Sequence, residues 1–389
     1  MVTKITSGRL IRDGQVQDGL NVILEDGRIA EVTARDLPSD TVIDARGRYV
    51  SPGFIDIHTH GGGDADFMDG TPEAFLTAAE LHARFGTTTL VPTATSGTAE
   101  EMSGMEEVFE RALAKNERGA DMPGLHLEGP YFSMAQRGAQ DPKYVRNPDP
   151  AEYLPILARS RHILRWSAAP ELPGALEFGR ELKERGILAA IGHTDADYDQ
   201  IVAAAKAGYS HVTHLYSCMS TVHRKNAFRY AGVVEAAYLL NDLTVEVIAD
   251  GVHLPAPLLR FVYRFKGPDS IALVTDSMRG AGMPDGLSVL GSRKNGQQVL
   301  IEDGVAKLMD RSAFAGSVAT TDRLVRNMIR LGGASLPDAV KMASETPARI
   351  MGFADRGRLE AGLRADLVFF DDDIRVWRTM AAGRTIFEQ

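Results

Sequence analysis

Apolar and polar positions follow two different rhythms along the chain. Up to residue 49, short apolar runs such as NVIL and RIAEV are broken by Asp13-Gly14, Asp26-Gly27 and Arg46-Gly47, pairs that favour turns. No helical period of useful length occurs there, so residues 1–49 read as a small β unit. At Ser51-Pro52-Gly53 the pattern changes. Strand-like apolar runs (FIDIHTH, TTLVPT, GLHLEG, LRWSAAP, LAAIGHT, HVTHLY, VEVIAD, IALVTD) alternate with amphipathic stretches such as PEAFLTAAELHARF, ALEFGRELKERG, YDQIVAAAKAG and PAPLLRFVYRF. Such βα alternation predicts an α/β fold with a parallel sheet. Two more helices are expected at Asp322–Leu331 and Leu336–Gly352, and the tail returns to strands and turns.

The expected organisation is a (β/α)8 TIM barrel over residues 50–352. A small β-sandwich is built from residues 1–49 and 353–389 together. Alternation alone also fits a doubly wound sheet; the order of the motifs at the strand ends favours the barrel.

Those motifs carry the candidate chemistry. In FIDIHTH, His58 and His60 are two apart, so a strand projects both imidazoles to one face, where they can chelate a divalent ion. The bland alternative is two polar residues at a strand end. Glu128 closes GLHLEGP, and an unpaired carboxylate buried at a barrel mouth is costly unless a cation meets it. His126, two residues deeper, reads as a core histidine supporting Glu128. His193 ends LAAIGHT and His214 ends HVTHL. His211, three residues before His214, is expected to face the opposite way and to be structural. His82 and His162 read as structural too. Asp276 ends the last strand run, where it can take a proton from water and pass it to a leaving nitrogen. Six candidates at the C-terminal ends of five strands form one constellation, because barrel active sites lie at that face.

Composition narrows the field. The chain has 389 residues, 44% of them hydrophobic and 24% charged, which is ordinary for a globular protein. A net charge of −9 argues against a nucleic-acid surface, although a local cationic pocket can still bind a small anion. The one cysteine, Cys218, permits no intrachain disulfide and suits a reducing compartment. The start MVTKITSGRL has no signal-peptide core, and no apolar run is long enough to span a bilayer. A cytoplasmic enzyme is expected.

The order H-x-H, Glu, His, His, Asp resembles the amidohydrolase superfamily. The segments VIDARGRYVSPGFIDIHTHGG and GRLEAGLRADLVFFD are similar to its entry and exit segments. HLEGP, GHT, THLY, ADGVH and TDSM resemble the N-acetylglucosamine-6-phosphate deacetylases in particular, along almost the whole chain. The resemblance implies a divalent metal, most readily zinc, held by Glu128, His193 and His214. A second ion is implied at His58 and His60, so one or two ions are expected per chain. Asp276 is implied as the proton-transferring group in hydrolysis of an acetamide to amine and acetate. His253, in ADGVH, is implied at the phosphate end of the sugar. A homodimer, with the sugar site completed across the interface, is also implied. No lysine ends a strand run, which argues against a carbamylated-lysine site.

The match weakens after THLY. Ser217 and Cys218 stand where the family has Asn-Ala, and STVHRKNAFRYAG lacks the usual Pro-Gly. His223, Arg224, Lys225 and Arg229 are basic or potentially so. They can grip a phosphate or form a solvated charge run. The expected substrate contacts are therefore Ser217, Cys218, Arg224, Lys225, Arg229 and His253. Alternatives are N-acetylgalactosamine 6-phosphate, an unphosphorylated amino sugar, an N-acyl amino acid or cyclic imide, and a non-catalytic scaffold.

Overall fold

A computed structural model describes residues 1–389. All eight strand runs form one parallel sheet, whose strands neighbour one another in sequence order. We number them β1 (Phe54–Thr59), β2 (Thr87–Ala94), β3 (Leu125–Glu128), β4 (Ile163–Ala168), β5 (Leu188–Ile191), β6 (Tyr209–Val212), β7 (Thr244–Val247) and β8 (Ile271–Leu273). Backbone hydrogen bonds from Asp276 N to His58 O (2.9 Å) and from His60 N to Ser277 O (2.7 Å) join the last strand end to the first. The chain is thus an α/β protein with a (β/α)8 barrel.

Period-two alternation sorts the strand residues. Ile55 and Ile57 of β1 pack outward with Val91, Val274 and Ala348, whereas Asp56 and His58 are buried and bonded across the barrel interior. The interior is unusual for a barrel, where branched apolar layers are the norm. It holds Arg165, His126, His211, Thr213 and Glu246, each fully buried. Buried polar groups tend to be paired, and each of these residues makes at least one hydrogen bond, although Arg165 Nε and His211 Nε2 have none. Arg165 donates to Ile57 O (3.3 Å), to Thr213 Oγ1 (2.9 Å) and to Glu246.

The accessory unit is a β-sandwich. Its four-stranded sheet comes from the N-terminal segment alone. In the six-stranded sheet, Tyr49–Pro52 pairs with Leu367–Phe370, joining the two ends of the chain. Leu367 and Phe369 enter the sandwich core with Ile5, Val22 and Val50. Val368 and Phe370 point the other way, into the barrel's helical layer.

Three features depart from the sequence reading. A four-stranded antiparallel sheet, Gly286–Ser317, intervenes between β8 and the final helices. The expected helix over Leu336–Gly352 is two, Leu336–Ala343 and Glu345–Ile350. They break at Ser344, whose hydroxyl donates to Val340 O (2.7 Å). The basic stretch forms an exposed hairpin, His223–Lys225 with Phe228–Tyr230, turning at Asn226 and Ala227, both in the left-handed region. No helix is long and apolar enough to cross a membrane.

Candidate metal centre

The site is built where strands stop. β5 ends at Ile191, β6 at Val212 and β8 at Leu273. Just beyond them His193 (φ 48°), His214 (φ 29°) and Asp276 (φ 46°) all take left-handed backbone. That conformation is disfavoured for residues with a side chain, and it persists where surrounding structure enforces it at a functional site. The turn also explains a correction. His211 does not face away from the interior; it is fully buried with Nε2 3.5 Å from Glu246 Oε1. The strand ends before His214, so strand parity does not extend to it.

Glu128 is the hub. Its Oε1 lies 3.1 Å from His214 Nε2, 3.3 Å from His193 Nε2 and 3.4 Å from His58 Nε2, while Oε2 lies 3.3 Å from His60 Nε2. Asp276 Oδ1 is 3.2 Å from His60 Nε2 and 3.4 Å from His58 Nε2. Burial opposes the charge on Glu128, but the His58 charge and the hydrogen bonds of His193 and His214 hold its carboxyl well below the usual range. Burial likewise opposes protonation of His58, yet the charges of Asp276, Glu128 and Glu246 raise it to about 9. Hydrogen bonds and charges of Asp276 and Glu128 carry His60 well above its ordinary value against burial.

These residues fit a divalent cation. The Nε2 atoms of His193 and His214 are only 3.2 Å apart and converge on one carboxylate oxygen. His58 Nε2 is buried without a hydrogen-bond partner. Two overlapping donor sets, His58–His60–Glu128 and Glu128–His193–His214, share the glutamate, which suits a carboxylate between two ions. Nitrogen and oxygen donors of this kind are those zinc prefers.

Other groups aim these donors. His58 Nδ1 is 3.1 Å from Glu246 Oε2, and Glu246 also accepts from His214 N (3.0 Å). Gln140 donates to Glu128 Oε2 (2.9 Å) and accepts from Ser96 N (3.0 Å). His126 does not hydrogen-bond Glu128 as expected. It bonds Thr93 (3.2 Å) and Ser167 (2.8 Å) and supports His58 edge-on at 4.8 Å between centroids. His82 binds Gly61 O (3.0 Å), fixing the loop after the H-x-H pair, and His162 makes a surface contact with Glu110. Arg165, Glu246 and Gln140 were not singled out from sequence. The available signal was one charge of each sign at the centre of an apolar strand run, ILRWSA and TVEV.

A cavity of about 250 Å³ opens over the centre and brings in Ser217, Cys218 and His253. His253 Nδ1 donates to Asp250 Oδ2 (2.8 Å), and its ring packs 4.8 Å from Phe314. Arg224, Lys225 and Arg229 do not reach this cavity. They lie on the exposed hairpin, with Arg224 directly opposite Arg229.

Comparison with known proteins agrees with this geometry. The N-acetylglucosamine-6-phosphate deacetylase of Lysinibacillus sphaericus is 33% identical over 94% of this chain and 92% of its own. The N-acetylgalactosamine-6-phosphate deacetylase of Escherichia coli O157:H7 is also 33% identical, over 99% of both chains. The N-acetyl-D-glucosamine-6-phosphate deacetylase of Mycobacterium smegmatis, solved as a mutant with N-acetyl-D-glucosamine 6-phosphate, superposes with a TM-score of 0.89 at 32% identity, over 99% of each chain. The model of the amidohydrolase family matches residues 49–387, and the chain belongs to that family.

Proposed function

We propose that the protein hydrolyses N-acetylglucosamine 6-phosphate to glucosamine 6-phosphate and acetate. The observation that carries this reading is Asp276 within 3.2–3.4 Å of the H-x-H imidazoles, beside the Glu128–His193–His214 set at the base of a cavity. Full-length relatives of that activity support it.

Glu128, His193 and His214 would hold the principal zinc ion, and His58 and His60 a second. When bound, the metal supplies Lewis acidity to the amide carbonyl and to water. Asp276 is the base. Burial would raise its carboxyl, but the charges on His58 and His60 keep it below the ordinary carboxylate range, so it is ionised and ready to accept a proton at neutral pH. It takes the proton from water at Oδ and returns it to the leaving nitrogen. His253, with Nδ1 engaged by Asp250, presents Nε2 to the sugar's anionic end, and the Ser217–Cys218 turn forms that wall of the cavity. A reducing compartment, the cytoplasm, suits the free thiol there.

The basic hairpin fits a homodimer in which it reaches a second copy's cavity. Like charges directly opposite on paired strands are destabilising, and Arg224 faces Arg229; an anion between them removes that repulsion. Phe228 on the same hairpin is 71% exposed.

Acetate release by metal-loaded protein, compared across N-acetylglucosamine 6-phosphate, its galacto epimer and the unphosphorylated sugar, tests the reading. The expected order places the phosphorylated gluco sugar first. Preference for the galacto epimer would reassign the substrate, and equal use of phosphorylated and free sugar would remove the phosphate from it.

A further inference from the structure

Asp276 sits on the one seam of the barrel that no strand ladder closes. β1 and β8 stand at the two ends of the sheet order, and every other neighbouring pair is hydrogen-bonded strand to strand. Three backbone hydrogen bonds cross the seam: Asp276 N to His58 O (2.9 Å), His60 N to Ser277 O (2.7 Å) and Gly61 N to Ser277 O (3.0 Å). All three lie at the level of the candidate centre, near or past the strand ends.

One level deeper, a side chain takes the place of the ladder. Asp56 of β1 is fully buried. Its Oδ1 accepts from Thr275 N (3.2 Å) across the seam and from His58 N (3.3 Å) on its own strand, and its Oδ2 accepts from the Thr275 hydroxyl. Thr275 immediately precedes Asp276. From the other side, Ser317 of the Gly286–Ser317 sheet donates its hydroxyl to Thr275 O (2.5 Å) and its amide to Asp276 O (2.8 Å). That strand comes so close that a Cβ on Gly316 would lie 2.9 Å from Asp276 O.

The turn needs this grip. Asp276 holds φ 46°, a left-handed conformation that a residue with a side chain keeps only where its neighbours enforce it. A shift of the Thr275–Asp276 peptide would swing the carboxyl away from His60 and His58, which it meets at 3.2 and 3.4 Å. With a single oxygen, Asp56 holds both sides of that contact, Thr275 on one strand and His58 on the other. Neither Asp56 nor Thr275 lines the cavity or joins the metal-donor sets.

We propose that Asp56 is a positioning residue for the hydrolytic step: its carboxyl clamps the turn that carries Asp276 and so fixes the reach of the base, without touching metal or substrate. The inference rests on the deacetylase reading. Because Asp56 acts through Asp276, its removal slows turnover and leaves binding in place. His58 keeps its ring contact with Glu246 (3.1 Å), so the H-x-H pair keeps its aim.

The test measures kcat, KM and metal content of metal-loaded variants on N-acetylglucosamine 6-phosphate. Asp56→Ala is expected to lower kcat about ten- to a hundredfold, the effect of misplacing a reacting group, with KM within about twofold and metal content unchanged. Asp56→Asn keeps an oxygen for both amides, and the Thr275 hydroxyl can turn to accept from the new NH2, so kcat should return to within about threefold of wild type. The deciding measurement repeats the change without the base. In an Asp276→Asn background, Asp56→Ala should lower kcat by less than about twofold further, because residues that act as one unit are not additive. A merely structural role would lower it by the same factor in both backgrounds. If Asp56→Ala does not fold, Thr275→Val removes the hydroxyl at the other end of the clamp and replaces it in both backgrounds, with Thr275→Ser as the rescue. Wild-type kcat in Asp56→Ala, an equal loss in both backgrounds, a loss of metal that accounts for the lost turnover, or no rescue by the conservative variant overturns the positioning role while wild type remains a deacetylase. Failure of metal-loaded wild type to release acetate overturns the deacetylase reading, and the positioning role with it.

Discussion

Asp276 and Glu246 are both buried carboxylates, but one lines the cavity and the other the sealed barrel interior. Asp276 faces the cavity and the imidazoles; in the proposed reaction it moves a proton. Asp276→Asn keeps the shape and removes the acceptor, so metal content should stay unchanged while turnover falls by about two orders of magnitude or more. Near-normal turnover would assign the proton to another group. Glu246 faces Arg165 beneath the site and holds His58 Nδ1 and the His214 amide. Glu246→Gln leaves Arg165 charged, buried and without a counter-ion, a change that typically costs about 3–5 kcal/mol. Chemical denaturation should show that loss, and metal analysis should show the ion at His58 and His60 weakened before the other. Stability equal to wild type would mean that the Arg165–Glu246 pair does not anchor the interior. Neither partner stood out in the sequence, because a lone charge in a strand run reads as a surface position until its cross-barrel partner is known.

Strands and their ends were the most legible elements. Each of the eight apolar runs is short, rich in β-branched or aliphatic residues and bounded by turn chemistry, so local sequence decides it. That His58, His60, Glu128, His193, His214 and Asp276 come together was legible for the same reason, since each lies at the end of such a run. The Gly286–Ser317 sheet was not: its strands are half-exposed and interrupted by polar residues, and its shape depends on folding over the barrel mouth. The direction of the His223–Tyr230 hairpin was also hidden, because two strands and a turn carry no record of what they point at. If the hairpin serves a second copy, Arg229→Ala and Asp276→Asn protomers should complement. Refolding the two together should restore deacetylation, because the Arg229→Ala cavity then receives an intact hairpin. A mixture no better than the average of its parts would confine each site to one chain.

On the scale of the whole molecule, the proposed metal and a proton would compete for one centre. In the metal-free protein, burial works against protonated His58 but Asp276, Glu128 and Glu246 prevail, raising it from 6.5 to about 9. A raised value means that the stabilisation is full below about pH 6.5 and is lost as pH climbs through about 9. Metal binding needs the neutral imidazole, so affinity rises across the same window. Metal-stripped protein should therefore lose thermal stability between pH 6.5 and 9, whereas loaded protein should hold or gain it. At a free metal concentration 100 times Kd, the loaded form should be about 2.7 kcal/mol more stable. Melting curves of both forms across this range read the difference directly. Parallel curves would show that the His58 proton is not displaced by the ion.

The pairing of Tyr49–Pro52 with Leu367–Phe370 also bears on the order of synthesis. Tyr49–Pro52 leaves the ribosome before the barrel and Leu367–Phe370 after it, with all eight barrel strands made in between. Until Leu367–Phe370 emerges, the earlier strand presents an open edge, which is a template for pairing with other nascent chains. A chain that stopped before Leu367 would thus carry the barrel and its candidate centre with a permanently unpaired edge, prone to aggregate even though every residue of that centre had been made.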